Sequence, residues 1–150
     1  QDNEIRNVEM RVYDAAGKPN LVLISPLITS PRRGDEYLIA APVFDVVSAD
    51  GARWTGKSLS GRLDVGKDRM WLQDQVVLHG AKPKGEPVTI RSERIELGIE
   101  ERLASSDEAV EIVSTGSEIR GVGLRADLKT NHFLLRSQGE GEYVPKRKRS

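Results

Sequence analysis

The stretch Gly51–Ser58, GARWTGKS, has the G-x-x-x-x-G-K-[ST] spacing of a loop that cradles nucleotide phosphates. Such a loop works between a buried strand and a helix whose first amides point at the anion. Here a hairpin-type turn, Ser48–Gly51, comes before it, and Trp54 puts an indole where the backbone would wrap the phosphate. The SLSGRLDV that follows alternates through Leu63 and Val65 as a strand does. Gly56, Lys57 and Ser58 are therefore expected in or beside a strand, with Lys57 solvated. His79 and His132 are expected in solvated positions beside turns, without the converging partners a metal needs. The pairs Glu100/Glu101 and Asp107/Glu108 fall in stretches that read as polar turns, and adjacent carboxylates make no acid/base pair without a cleft that separates their pKa values. No G-x-S-x-G occurs. The residues point to no catalytic group, no metal and no cofactor; the alternative is a nucleotide-binding protein using Gly51–Ser58.

The totals agree with that reading. Lys and Arg number 23 and so do Asp and Glu, so no net field draws nucleic acid or an acidic substrate. The terminal KRKRS is a basic run without interleaved aromatics, expected as a disordered solubilising tail over 146–150. The chain has no cysteine, which removes disulfides and thiolate metal sites. No apolar run reaches the roughly 18–20 residues that cross a bilayer. The sequence starts at Gln1 rather than at methionine and reads as a processed or truncated chain. A length of 150 residues suits one domain, expected over 1–145.

What must position the side chains is a set of strands. Val8, Met10 and Val12 alternate with Glu9, Arg11 and Tyr13; Val88 and Ile90 share a face, as do Ile95 and Leu97. In GVGLRADLK the alternation predicts Val122, Leu124, Ala126 and Leu128 on one face. Turn signals separate these runs: DAAGKPN, SPRRGDE, SADGA, DVGKD, GAKPKGEP and KTNH. Helix competes poorly, because IELGIEERLASSDEAVEI contains Gly98 and holds no steady stripe at 3.6-residue spacing. A weak repeat recurs, with Leu63/Leu78, Leu97/Ile112 and Leu128/Tyr143 each 15 positions apart across a polar turn. Hairpin units of this kind cannot bury their apolar faces alone and must stack or wrap. The expected fold is all-β, a layered roll, jellyroll or short solenoid.

Read as stacked hairpins, the chain resembles the periplasmic domain of the LptC family of lipopolysaccharide-export proteins over roughly residues 5–145. The resemblance is carried by VEMRVYDAAGKPN, YLIAAPVFDVVSADGARWT, DRMWLQDQVVLHG and GVGLRADLKTNHFLLRSQGEGEYV. The sequence departs from the family in having VSTGSEIRG where relatives are often glycine-rich, and it lacks the N-terminal transmembrane helix of membrane-bound relatives. The resemblance implies an open, twisted β-jellyroll of two antiparallel sheets around a groove that accepts lipid. It implies no enzyme activity. Lipopolysaccharide would come from an inner-membrane ABC transporter (LptBFG) and pass to the bridge protein LptA, the domain being periplasmic and anchored to the inner membrane in the full-length protein. The inward set expected to line the groove is Val8, Met10, Val12, Leu21, Leu23, Ile39, Trp54, Leu72, Leu78, Ile112, Leu124, Leu128, Phe133, Leu135 and Tyr143. By the same resemblance, the edge at Val8, Met10 and Val12 would dock on the transporter. The edge at Phe133, Leu135 and Tyr143 would dock on LptA, and free edges also allow homo-oligomers. A soluble LptA-type bridge is the nearest rival. A carbohydrate-binding module would need an aromatic ladder, which two Trp, three Tyr and two Phe do not supply.

Titration with ATP or GTP is expected to leave the thermal unfolding of the wild type and of Lys57→Ala alike. A nucleotide-dependent stabilisation that Lys57→Ala abolished would restore the phosphate-loop assignment.

Overall fold

The computed structural model describes residues 3–30, 36–47, 53–81 and 86–137, with the chain path of 144–145. Tyr143, the tail 146–150 and the turn signals at 31–35, 48–52 and 82–85 lie outside the described residues, as do Gly51 and Ala52 of the phosphate-loop match. The strands are β1 (Asn3–Tyr13), β2 (Pro19–Ser30), β3 (Glu36–Ala40), β4 (Val43–Val47), β5 (Arg53–Lys57), β6 (Ser60–Asp64), β7 (Arg69–Ala81), β8 (Pro87–Gly98), β9 (Leu103–Ser114), β10 (Ser117–Asp127), β11 (His132–Ser137) and β12 (Val144–Pro145). Among the described residues there is no helix, and Lys57 is an exposed strand residue with another strand, β6, just beyond it.

All pairings are antiparallel, and they join the strands into one 12-stranded sheet. That sheet is folded in two. β2 pairs with β4 over Leu21–Ile24 and with β3 over Leu27–Thr29. β7 pairs with β6 over Arg69–Gln73 and with β5 over Val77–His79. β4 and β5 pair in one leaf, β3 and β6 in the other. β8, β9 and β10 run through both leaves. The two sheets of the expected jellyroll are thus two leaves of one continuous sheet.

The bend falls on a line of interruptions in the pairing. Pairing skips Asn7 in β1, and it slips between Gln73 and Val76 in β7, Ser92 and Glu96 in β8, and Val122 and Leu124 in β10. Ala41 and Pro42 interrupt β3 and β4 there, and Ser58 and Leu59 interrupt β5 and β6. Such insertions bend a strand and raise its twist. Several of these residues take the left-handed backbone: Asn7 at φ 53°, Ala41 at 41°, Asp74 at 68°, Gln75 at 52° and Gly123 at 80°. At Gly123 any side chain would combine that conformation with a Cβ placed 2.8 Å from Arg136.

An insertion of one residue reverses which face a strand buries. In β2 the inward set is Leu21, Leu23 and Ser25, then Ile28; in β8 it is Val88, Ile90 and Ser92, then Ile95 and Leu97. The same slip corrects the reading of GVGLRADLK: Gly121 and Leu124 are buried, while Val122 faces solvent at 37% exposure. Asp107 and Glu108, expected in a turn, instead lie inside β9 at the bend.

A bend frees backbone groups, and buried ones must be re-paired. Serines do this. Ser25 Oγ reaches the Leu27 and Ala40 carbonyls and accepts the Leu27 N–H at 3.1 Å. Ser58 donates to Ser60 O at 2.8 Å and Ser92 to Ala109 O at 2.8 Å. Ser106 accepts the Glu108 N–H at 3.1 Å and sits 3.2 Å from Ser92 Oγ. All four serines are buried. Each such bond contributes about 1 kcal/mol, and an unpaired group left behind would cost about 1–3 kcal/mol.

Between the leaves lies one apolar core that includes Leu21, Leu23, Phe44, Leu63, Met70, Leu72, Ile90, Leu97 and Leu124. In the β4–β5 leaf an apolar row runs from Met10 through Leu23 and Phe44, over Gly56, to Leu78, Ile90, Ile112 and Ile119. Gly56 leaves the space that Phe44 fills: a Cβ there would stand 2.2 Å from Phe44 Cζ and 2.8 Å from Leu78 Cδ2. Gly56→Ala is therefore expected to destabilise the domain by about 1–3 kcal/mol, as overpacking does. Thermal unfolding should show a lowered midpoint that Phe44→Leu partly restores.

Candidate functional site

The inward set predicted from the sequence divides into two groups. Leu21, Leu23, Ile39, Trp54, Leu72, Leu78, Ile112, Leu124 and Leu128 belong to the core and are each at most 5% exposed. Val8, Met10 and Val12 on β1, and Phe133 and Leu135 on β11, are half-buried and pack against that core. Tyr143 is not among the described residues. The expected lining is thus close-packed through the middle of the fold and open to solvent at its two edges.

Those edges follow from the topology. Among the described residues, β1 pairs only with β2, and β11 only with β10. Each edge strand has neighbours on one side, so its inward residues lose cover on the other. Ile5, paired in register with the fully buried Ile28, is 48% exposed. The outward residues of β1 carry charges of alternating sign, with Arg11 Nη2 3.2 Å from Glu9 Oε2. Charges of this kind blunt a long free edge against indiscriminate pairing.

Opposite the bend, the leaves are fastened to each other. Trp54, on β5, donates from Nε1 to the Leu128 carbonyl at 3.1 Å, in the turn after β10. Its ring meets Phe133 of β11 edge to face, with centroids 6.3 Å apart. Leu128 N–H in turn donates to the Arg102 carbonyl at 2.9 Å. The Arg102 side chain reaches from the β8–β9 turn to Asn20 Oδ1, at 3.2 Å, and to the Val47 carbonyl.

The groups with other chemical possibilities do not converge. His79 lies exposed within β7, two residues before its end, its Nδ1 2.8 Å from Thr89 Oγ1; His132 opens β11. Glu100 and Glu101 stand in the β8–β9 turn, where Glu101 pairs with Arg69 at 3.5 Å. Among the described residues no three His, Asp or Glu side chains are placed to share a metal ion. Two cavities open on the outer faces of the leaves. One, of about 710 Å³, is bordered by Leu27, Leu38, Arg62, Trp71 and Arg94, with Arg62 4.4 Å above the Trp71 ring. The other, of about 700 Å³, is bordered by Val77, Arg91, Glu111 and Arg120.

Sequence reasoning passed over several of the residues that shape the interior. Phe44 and Val46 alternate in PVFDVV and could have been found that way. The serines of the bend had a signal too, each standing in phase with buried neighbours. Arg102 had none, since an arginine in a polar turn is ordinarily solvated.

A single sheet folded around an apolar interior, with two edge strands that among the described residues are paired on one side only, defines a β-jellyroll binding domain. Residues 2–144 match the profile of the lipopolysaccharide-assembly, LptC-related family, and the chain belongs to that family. No match was found among curated proteins. The family is one of transport and binding proteins and puts the domain in lipopolysaccharide transport. Its domains are periplasmic, carried by proteins anchored to the inner membrane. Among the described residues no helix is long and apolar enough to cross a membrane.

Trp54→Phe keeps most of the buried ring and removes the bond to Leu128. It is expected to cost about 1 kcal/mol, more if the carbonyl is left dry. Denaturant unfolding should report the loss, and hydrogen exchange should rise first in the β10–β11 turn.

Proposed function

We propose that the domain is a non-enzymatic lipopolysaccharide-transfer module. It takes the lipid from the inner-membrane transporter LptBFG at the β1 edge and delivers it to LptA at the β11 edge. Val8, Met10 and Val12 form the receiving side, and Phe133, Leu135 and Tyr143 the delivering side. The remainder of the inward set, from Leu21 to Leu128, lines the path between them.

The observation that supports this is the distribution of exposure. Among the described residues, inward apolar side chains are buried through the middle of the fold, and most of those that meet solvent lie on the two edge strands: Ile5, Val8, Met10 and Val12 on β1, and Phe133 and Leu135 on β11, with Tyr37 and Ile119 half-buried elsewhere. Acyl chains leave water most favourably where such surface is already continuous with an apolar interior, at about 25 cal/mol for each Å² covered. An edge strand also offers unpaired backbone groups to a partner strand, which would extend the interior into the next jellyroll.

The test places a photocrosslinking amino acid at Met10, Phe133 or Leu135 in the assembled transport machine, with the outward Leu38 as control. Lipopolysaccharide adducts are expected at the three inward positions, only while the transporter runs, and not at Leu38. Their absence at all three would remove the proposed path.

A further inference from the structure

Arg102 carries a buried charge without a counter-charge. It is 8% exposed, and among the described residues it makes no ion pair. Nη1 donates to the carbonyls of Ile99, at 3.4 Å, and Glu100, at 3.0 Å. Nη2 donates to Asn20 Oδ1 at 3.2 Å and to the Val47 carbonyl. Nε has no partner. Every acceptor is neutral, and the backbone at Arg102 is left-handed, with φ 54°. A guanidinium taken out of water without an anion incurs a desolvation penalty that neutral acceptors only partly offset. Its neighbour Glu101, which could neutralise it, is turned to Arg69 instead.

The position gives the charge a use. Asn20 precedes the fully buried Leu21, Val47 follows the buried Val46, and the Arg102 carbonyl is tied through Leu128 to Trp54. Arg102 therefore sits at the rim where the apolar interior ends, on the side where the leaves are fastened rather than continuous. An amphiphile with its tails between the leaves would hold its headgroup at that rim. A phosphate, like a carboxylate, is an acceptor that a guanidinium fork fits, engaging two N–H groups at once with full charge, and it is the anionic group an amphiphile's headgroup would bring there.

We propose that Arg102 is a phosphate-binding clasp. It joins the leaves through neutral acceptors while the core is closed, and exchanges them for the phosphate of an amphiphile when the leaves part. The inference rests on the lipid-path reading and adds to it a headgroup-recognising residue.

The experiment titrates the labelled domain with a diphosphorylated, acylated glucosamine disaccharide in detergent, with its dephosphorylated counterpart, and with inorganic phosphate. The wild type should prefer the phosphorylated lipid by roughly tenfold or more, the scale of one charge-assisted contact. Arg102→Gln should erase that preference while leaving the dephosphorylated lipid bound as well as before or better, and Arg102→Lys should keep part of it. Circular dichroism establishes that each variant is folded. An equal loss for both lipids in Arg102→Gln would mean a purely structural clasp and would overturn the proposal, as would a preference that survives the substitution. Arg102-dependent binding of inorganic phosphate as tight as that of the lipid would assign the site to free phosphate and overturn the lipid source. If the wild type bound neither lipid, the lipid path itself would fall.

Discussion

The fold depends on bending a sheet without orphaning its backbone. Strands as long as β7 and β8 would otherwise form a flat, two-sided surface with nowhere to hide its apolar face. Folding the sheet along one line turns that face onto itself and makes the core. The line is built from three devices that recur from strand to strand: extra residues in left-handed conformations, prolines that have no N–H to lose, and buried serines that take up the freed carbonyls and amides. Because neighbouring strands bend at matching positions, hydrogen bonding resumes on both sides of it.

Much of this architecture can be read from the chain. Period-2 alternation identifies the strands and most of the inward residues, and Asp-Gly, Lys-Pro and Gly-Lys-Asp signals mark where they reverse. The bend is harder to see, because it changes the phase of a pattern rather than breaking it. Val122 shows the difficulty: its alternation with Leu124 is intact in the sequence, yet the register slips at Gly123, whose backbone is left-handed, and Val122 turns outward. Ser25, Ser58, Ser92 and Ser106 are the complementary clue. Each occupies an inward position where an apolar residue would be expected, which is what a backbone-capping hydroxyl requires.

The site shows a similar division between local and long-range information. Which residues point inward follows from two-residue periodicity. Whether an inward residue is sealed or accessible depends on how many strands lie beyond it, and that is a property of the topology. Leu21 and Met10 look alike in the sequence, but one is flanked by strands on both sides and the other stands at an edge. Arg102 is still less legible, because its partners come from positions 20 and 47, far along the chain.

The continuity of β8, β9 and β10 through both leaves limits how this molecule can deform. Leaves that were separate sheets could slide or rotate independently. Here they share their strands, so they can only swing about one axis, like a book on its spine. Such motion has a single mechanical coordinate. A strain applied at either edge would pass into both leaves through the strands that they share.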